Sequence, residues 1–372
     1  MEFEYSQEHR ALKKSVRDFV DEVALPQIME YEEKSVLPME IFRRTGSEGF
    51  LRAHIPKSFG GLGLGTLGFC LVSEELARAG AGMIHNGQFQ TQKMLLEHGT
   101  VEQREKYLEK LLNGEYLAAT AITEPNVGSS FAGMETTVSK RGDCFVLNGK
   151  KTLINDAAEA NVLNIFARSE EGISVFLLDR GTPGFRVVGK LDPLGMRSSP
   201  VYELELRDCT VGPNQIVGAL GRGLDAFFSA FNFSRLGNAS AALGIGTAAF
   251  EKTLDYLRGR QVGTRMASEF QGLRWMLAEM STDLEAARLM RDRAAYLEEN
   301  RQDIGLVSSQ TKLLCVEVAN RVVGNCIQAT GRYGCLRESL FDLYLRDVKV
   351  LGTAGGSLEV MKNNIARHLT GG

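Results

Sequence analysis

At 372 residues the chain exceeds a typical single domain, so two or three structural units are expected. With 43 basic and 46 acidic residues its net charge is only -3, and 44% hydrophobic and 24% charged content is that of an ordinary globular protein. This balance gives no footing for nucleic acid or a membrane surface, and no apolar run approaches the ~20 residues that cross a bilayer.

The first stretch, 1–116, shows helical periodicity. The N-terminal Met1-Glu2-Phe3-Glu4-Tyr5 is acidic and has no apolar signal core, so a cytoplasmic setting is the default expectation. Ser6 and Thr100 read as helix N-caps. Gln103 stands at capping-box spacing from Thr100, and Glu8 puts negative charge in the first turn after Ser6. The glycine-rich run Phe59 to Gly65 lacks the lysine-serine ending of a phosphate loop and follows no strand pattern.

Residues 117–222 change character. The runs 144–147, 161–167, 173–178 and 201–206 read as strands, separated by turn signals such as Arg141-Gly142-Asp143 and Thr182-Pro183-Gly184. Short strands at this spacing predict a small antiparallel barrel or sandwich. From 223 to 372 helices return. Long amphipathic helices at about 240–260, 267–298 and 303–330 predict a bundle, the middle one carrying Leu273, Met276, Leu277, Met280, Leu284 and Ala287 near a 3.6 period. The six cysteines form no C-x-x-C pair and the five histidines give no zinc spacing, so reduced thiols and no metal centre are expected.

Several short motifs fall in a fixed order. They are Thr123-Glu124-Pro125 followed by Gly128-Ser129, then Asn148-Gly149-Lys150-Lys151, Gly195-Met196-Arg197-Ser198-Ser199, Phe270-Gln271, Gln328-Ala329-Thr330-Gly331 and Arg346-Asp347. Together they resemble the acyl-CoA dehydrogenase family over about residues 5–369. That resemblance implies an α+β fold: an N-terminal helical domain, a central β-domain and a C-terminal four-helix bundle. It also implies a homotetramer or homodimer whose neighbouring subunit helps to bind FAD. It carries flavin-ring contacts to Ile122, Thr123 and Asn155. The pyrophosphate and adenine side falls on Arg260, Gln271, Gln328 and Gly331, with Ser357 and Glu359 on the adenosine side. Gly128, Ser129 and Arg235 match positions that meet the acyl-CoA or acyl-carrier-protein thioester. The implied reaction is oxidation or reduction across Cα–Cβ of that thioester, with an electron-transfer partner.

The chain departs from the family where the chemistry is done. Gly355 stands where a Glu usually removes the α-proton, and a glycine cannot be a base. Ser234 stands at the alternative base position, just before Arg235, and a lone serine is a poor base. The Trp-Ile-Thr run beside the flavin reads Leu153-Ile154-Asn155, and the run from Arg260 lacks its aromatic residue at Gly263. Three readings stay open: a dehydrogenase whose base is relocated to His85, Asp156 or Glu124; reductive or desulfinase-like chemistry; and a flavin-binding scaffold without catalysis. Each site residue also has a plain reading. Glu124 caps a turn or pairs with a cation, Arg235 makes an ion pair, Gln271 is solvated surface, and Gly331 and Gly355 are turn glycines.

Overall fold

The computed structural model of the protein describes residues 4–371. Helices α1 (Gln7–Phe19), α2 (Ile28–Lys34), α3 (Met39–Ser47), α4 (Gly65–Leu76), α5 (Asn86–His98) and α6 (Val101–Leu112) come first. The capping signals work as the sequence predicts. The Ser6 hydroxyl accepts from the His9 amide at 3.2 Å, and Thr100 and Gln103 close a reciprocal box at the start of α6. Met1 to Phe3 lie outside the described residues.

A seven-stranded sheet follows: β1 (Ala118–Ala121), β2 (Thr137–Arg141), β3 (Cys144–Asn155), β4 (Val162–Ser169), β5 (Gly172–Asp179), β6 (Phe185–Leu191) and β7 (Val201–Val211). The four runs read as strands are β3, β4, β5 and β7. The periodic pattern misses β1, β2 and β6, because β2 and β6 are mostly exposed and β1 is a short alanine-rich segment. Most pairs are antiparallel as the turns predict, but β1 and β2 run parallel to β4, so the sheet is mixed. Strand β3 bulges against β7 between Lys151 and Ile154. A bulge bends its strand and re-aims side chains. Here it puts Leu153 at φ 57°, two residues before Asn155.

The C-terminal part contains α7 (Gly223–Gly259), a small hairpin of β8 (Gln261–Val262) and β9 (Arg265–Met266), α8 (Gln271–Glu299), α9 (Gly305–Thr330), α10 (Phe341–Leu351) and α11 (Leu358–Thr370). Helix α7 starts some seventeen residues before the expected 240. Residues 233–246 are buried on every face, so no polar stripe marks the middle of this helix. Its glycines explain the close packing. A Cβ at Gly244 would run into the backbone of Glu74 on α4, and one at Gly237 would strike Phe69 and Asn86.

Charged residues buried between helices tie this architecture together. Arg291 of α8 is fully buried and donates to Glu74 of α4 at 2.9 Å and to Ser240 of α7 at 3.2 Å. Lys13 of α1 reaches the same Glu74 at 3.1 Å. Asp347 of α10 joins all three parts of the chain. It accepts from the Ala81 amide at 2.8 Å and from the Met196 amide at 2.6 Å. Gly195 makes that approach feasible, since a Cβ there would lie 2.5 Å from the Arg346 carbonyl carbon. The Gly-x-Arg-x-Ser loop and the Arg-Asp pair are therefore two halves of one joint. Burial, reinforced by nearby Glu32, pushes the Asp347 carboxyl up to about 7.

Candidate active site

The first turn of α5 is the hub of the site. Gly87 packs against β1, where a Cβ would lie 2.8 Å from the Ala118 carbonyl oxygen. His85 and Asn86 reach in two directions from there. His85 faces the end of β3, with Nδ1 3.6 Å from Asp156 Oδ2. Asn86 donates to Asn238 Oδ1 of α7 at 2.6 Å.

One wall is built from the Ile122–Glu124 turn and the end of β3. The Thr152 amide donates to the Thr123 carbonyl at 3.0 Å. Buried Lys151 donates to Glu124 at 2.7 Å and to the Ile122 carbonyl at 3.2 Å. Burial pushes the Lys151 ammonium down to about 8. For Glu124, burial pushes the carboxyl up, but hydrogen bonds from Lys151 and Thr136 outweigh it and hold the group below its ordinary range. Glu124 is thus a structural counter-charge, as its plain reading expects, and is not free to act as a base. Along this wall Leu153 is 60% exposed, and the Thr123 hydroxyl has no hydrogen-bond partner among the described residues. Asn155 is anchored instead, its amide donating to the Ser199 carbonyl and hydroxyl at 3.0 Å.

The opposite wall is where the family places either base, and it is neutral. Asn86 and Gln90 are four residues apart on α5, and Ser234 and Asn238 are four apart on α7, so each pair shares a helix face. The pairs meet rung to rung: Asn86 on Asn238, and Gln90 on Ser234 at 2.8 Å. Gly355 abuts the Asn238 end of this ladder at φ 64°, where a Cβ would collide with the Asn238 amide nitrogen. Asn238 fills the volume that a side chain at 355 would need. Sequence reasoning missed Asn86, Gln90 and Asn238. Their signal was polar residues repeating at four on buried helix faces.

Two cations stand beside the ladder. Arg235, 4% exposed, donates to Asn232 at 2.7 Å and lies near Ser309 Oγ at 3.4 Å, while its Nε has no partner. Lys312 of α9 is fully buried and donates to the carbonyls of Ala354 and Gly356. Burial pushes Arg235 down to about 10. Burial, with Arg235 as the neighbouring charge, pushes Lys312 down to about 7. The ion pair of Arg235's plain reading is absent: no carboxylate lies within salt-bridge distance of either cation among the described residues.

His85 and Asp156 are brought together, although the sequence offered them only as separate candidates. Both are buried, and both hold left-handed backbone, at φ 42° and 59°. Non-glycine residues held there cost about 1–3 kcal/mol each and cluster at functional sites. Ser199 donates to Asp156 Oδ1 at 2.8 Å, and neither ring nitrogen of His85 has a hydrogen-bond partner.

The remaining family positions lie elsewhere. Gly128 and Ser129 are exposed on the loop after the turn, with open space around Gly128. Ser357 caps α11, accepting from the Val360 amide at 3.3 Å, and Glu359 is exposed in the first turn of that helix. Arg260, Gln271, Gln328 and Gly331 are exposed near the far ends of α7 and α9 and the start of α8, where Tyr256 and Tyr333 stack at 4.5 Å. Arg260 is 25 residues from Arg235, and 1.5 Å per residue makes that about 38 Å along α7. One protomer therefore does not bring the two halves of the expected flavin site together. Among the described residues no group of three or more His, Cys, Asp or Glu could hold a metal, and no helix is long and apolar enough to cross a membrane.

Helices, a curled sheet and a helical bundle, with polar groups gathered where a strand end meets two helix faces, define a flavoprotein dehydrogenase scaffold. The family's N-terminal, middle and C-terminal domain models match residues 6–115, 119–209 and 221–370, and the chain belongs to the acyl-CoA dehydrogenase family. It is 32% identical to a short-chain specific acyl-CoA dehydrogenase of Clostridium acetobutylicum, over 97% of this chain and 98% of the relative. It is 33% identical to a 3-sulfinopropanoyl-CoA desulfinase of Advenella mimigardefordensis, over 99% of this chain and 94% of the relative. The solved butyryl-CoA dehydrogenase of Megasphaera elsdenii superposes with a TM-score of 0.96 at 28% identity, covering both chains fully. The protein is accordingly an FAD-dependent oxidoreductase of CH–CH bonds. The uncovered Leu153 and the unpartnered Thr123 hydroxyl fit an apolar ring with a polar edge.

Proposed function

We propose that this protein moves hydrogen across Cα–Cβ of an acyl-CoA thioester using His85, held by Asp156, in place of the family's carboxylate base. The carrying observation is the buried His85–Asp156 pair, 3.6 Å apart, with both ring nitrogens free of hydrogen-bond partners. A base needs a partner group, and Asp156, fixed by a 2.8 Å hydrogen bond from Ser199, stands 3.6 Å from His85 Nδ1 as its counter-charge. Bound FAD would supply the acceptor, or donor, for the hydride at Cβ. In oxidation His85 takes the α-proton; in reduction it returns one. The neutral rungs at Ser234 and Gly355 leave no competing carboxylate there, and two of the three Lys312 donors go to the 354 and 356 carbonyls.

The same reading puts Ile122, Thr123 and Asn155 at the flavin ring. It puts Ser357 and Glu359 on the adenosine side, and Gly128, Ser129 and Arg235 at the thioester. Arg260, Gln271, Gln328 and Gly331 then belong to the site of a second copy, since about 38 Å of helix separates Arg260 from Arg235. The working protein is thus a homo-oligomer in the cytoplasm, passing electrons to or from a partner flavoprotein. Residues 1–116, 117–222 and 223–372 are its three units.

The test is anaerobic bleaching of the flavin bands by a panel of saturated acyl-CoA thioesters. His85→Gln is expected to slow bleaching about 10²–10⁴-fold, the range of a lost general base. Ser234→Ala is expected to change it less than threefold. Unchanged bleaching in His85→Gln would end the proposal.

A further inference from the structure

The site holds more buried positive charge than the protein neutralises. Arg235 and Lys312 are both at least 96% buried by residue exposure, at 4% and 0%. They lie on facing helices: Arg235 Nη1 is 3.4 Å from Ser309, and Ser309 and Lys312 are one turn apart on α9. Their partners are an amide oxygen, a hydroxyl and two backbone carbonyls, with the Phe231 ring 4.8 Å from the Arg235 guanidinium, and none carries a negative charge. One guanidinium donor, Arg235 Nε, is left unmade. The surrounding side chains, Asn238, Asn86, Gln90 and Ser234, are neutral too. The Cβ position at Gly355, where a carboxylate-bearing side chain would start, lies 3.7 Å from Lys312 Nζ.

A buried cation without a counter-charge is costly, and a buried donor left unmade costs about 1–3 kcal/mol. The protein can relieve this by giving up the proton, as the low Lys312 value of about 7 reflects, or by taking in an anion. Resting on the acyl-thioester reading, we infer that the substrate brings that anion: a short acyl thioester carrying a terminal carboxylate or sulfinate, seated against Arg235 and Lys312 beside Gly355. The Cβ position at 355 lies next to these cations but is taken up by the Asn238 amide, so the anion answers them from beside that amide, close to the reacting carbons. The chain spends its own base position on recognition of a charged substrate, and the proton transfer falls to His85.

The test is calorimetric binding to the FAD-loaded protein of unreactive thioether analogues matched in shape: S-(3-carboxypropyl)-CoA against S-(4-methylpentyl)-CoA. Charge-assisted hydrogen bonds in a dry site predict at least about tenfold tighter binding of the acid. S-(3-sulfinopropyl)-CoA, compared with the carboxylate, names the preferred head group. Arg235→Gln is expected to reduce the preference at least fivefold. Asn238→Asp keeps both cations and supplies a carboxylate next to Gly355, so it is expected to bring the preference within about twofold, and it carries the test if Arg235→Gln does not fold. Equal binding of acid and isostere overturns the inference while leaving the thioester reading intact, as does a preference that survives in Asn238→Asp. Binding of none of the analogues overturns both.

Discussion

At the residue scale, the sequence exposes what is missing better than what replaces it. Gly355 and Ser234 are legible as non-bases because a motif fixes their positions. His85 is legible as the only titratable residue of its segment, but its partner is not, since Asp156 lies 71 positions away and meets it only through the bulged end of β3. Lys312 was not singled out at all: a lysine on an amphipathic helix reads as surface, and only packing shows that it is buried. That burial predicts a pH signature. The folded lysine titrates at about 7, against an ordinary 10.5. Between those values the unfolded chain binds the proton and the folded chain does not, so this residue makes stability rise with pH. Below pH 7 its penalty is present in full. Urea unfolding at pH 7 and pH 9 is expected to show this gain, and Lys312→Met is expected to flatten it relative to the parent. An equal gain in the variant would show that the ammonium is not the cause.

At the element scale, periodicity identifies α8 and α9 well and misplaces the start of α7, because a helix buried on most sides carries no polar stripe. The ladder between α5 and α7 was not legible for a related reason. Each helix shows two polar residues four apart, but the rungs join positions 152 and 144 residues apart in sequence. The ladder also decides what restoring the usual base would do. Gly355→Glu alone puts a side chain at φ 64° and against Asn238, costing about 1–2 kcal/mol in backbone strain besides the collision. It is expected to lower the urea midpoint and give no faster flavin bleaching. Adding Asn238→Ala clears the volume, and the double variant is expected to bleach at least tenfold faster than the single one with a saturated alkyl-CoA. The carboxylate would then answer the two cations itself, so the gain should come with lost affinity for acidic analogues.

At the scale of the whole molecule, the three-part order of helices, strands and helices is readable from the pattern of turns and periods. The way the parts are locked is not. Asp347 looks like one half of a motif dipeptide, yet its work is to receive amides from the N-terminal part and the β-domain at once. The sheet was expected to be antiparallel, and the parallel docking of β1 and β2 on β4 could not be seen from their weak patterns. On the proposed reading, the flavin positions at the far ends of α7 and α9 pair with the site of a second copy, which a single chain does not display.

The central claim is that His85 moves the proton in this family member. The most direct measurement is exchange of the α-hydrogens of a bound saturated acyl-CoA thioester with deuterium from heavy water, followed by mass spectrometry on the FAD-loaded protein under anaerobic conditions. The exchange reports proton transfer whether the net reaction is oxidation or reduction. The account predicts exchange in the parent protein and in Ser234→Ala, and a loss of about 10²–10⁴-fold in His85→Gln. Exchange that persists undiminished in His85→Gln would contradict it.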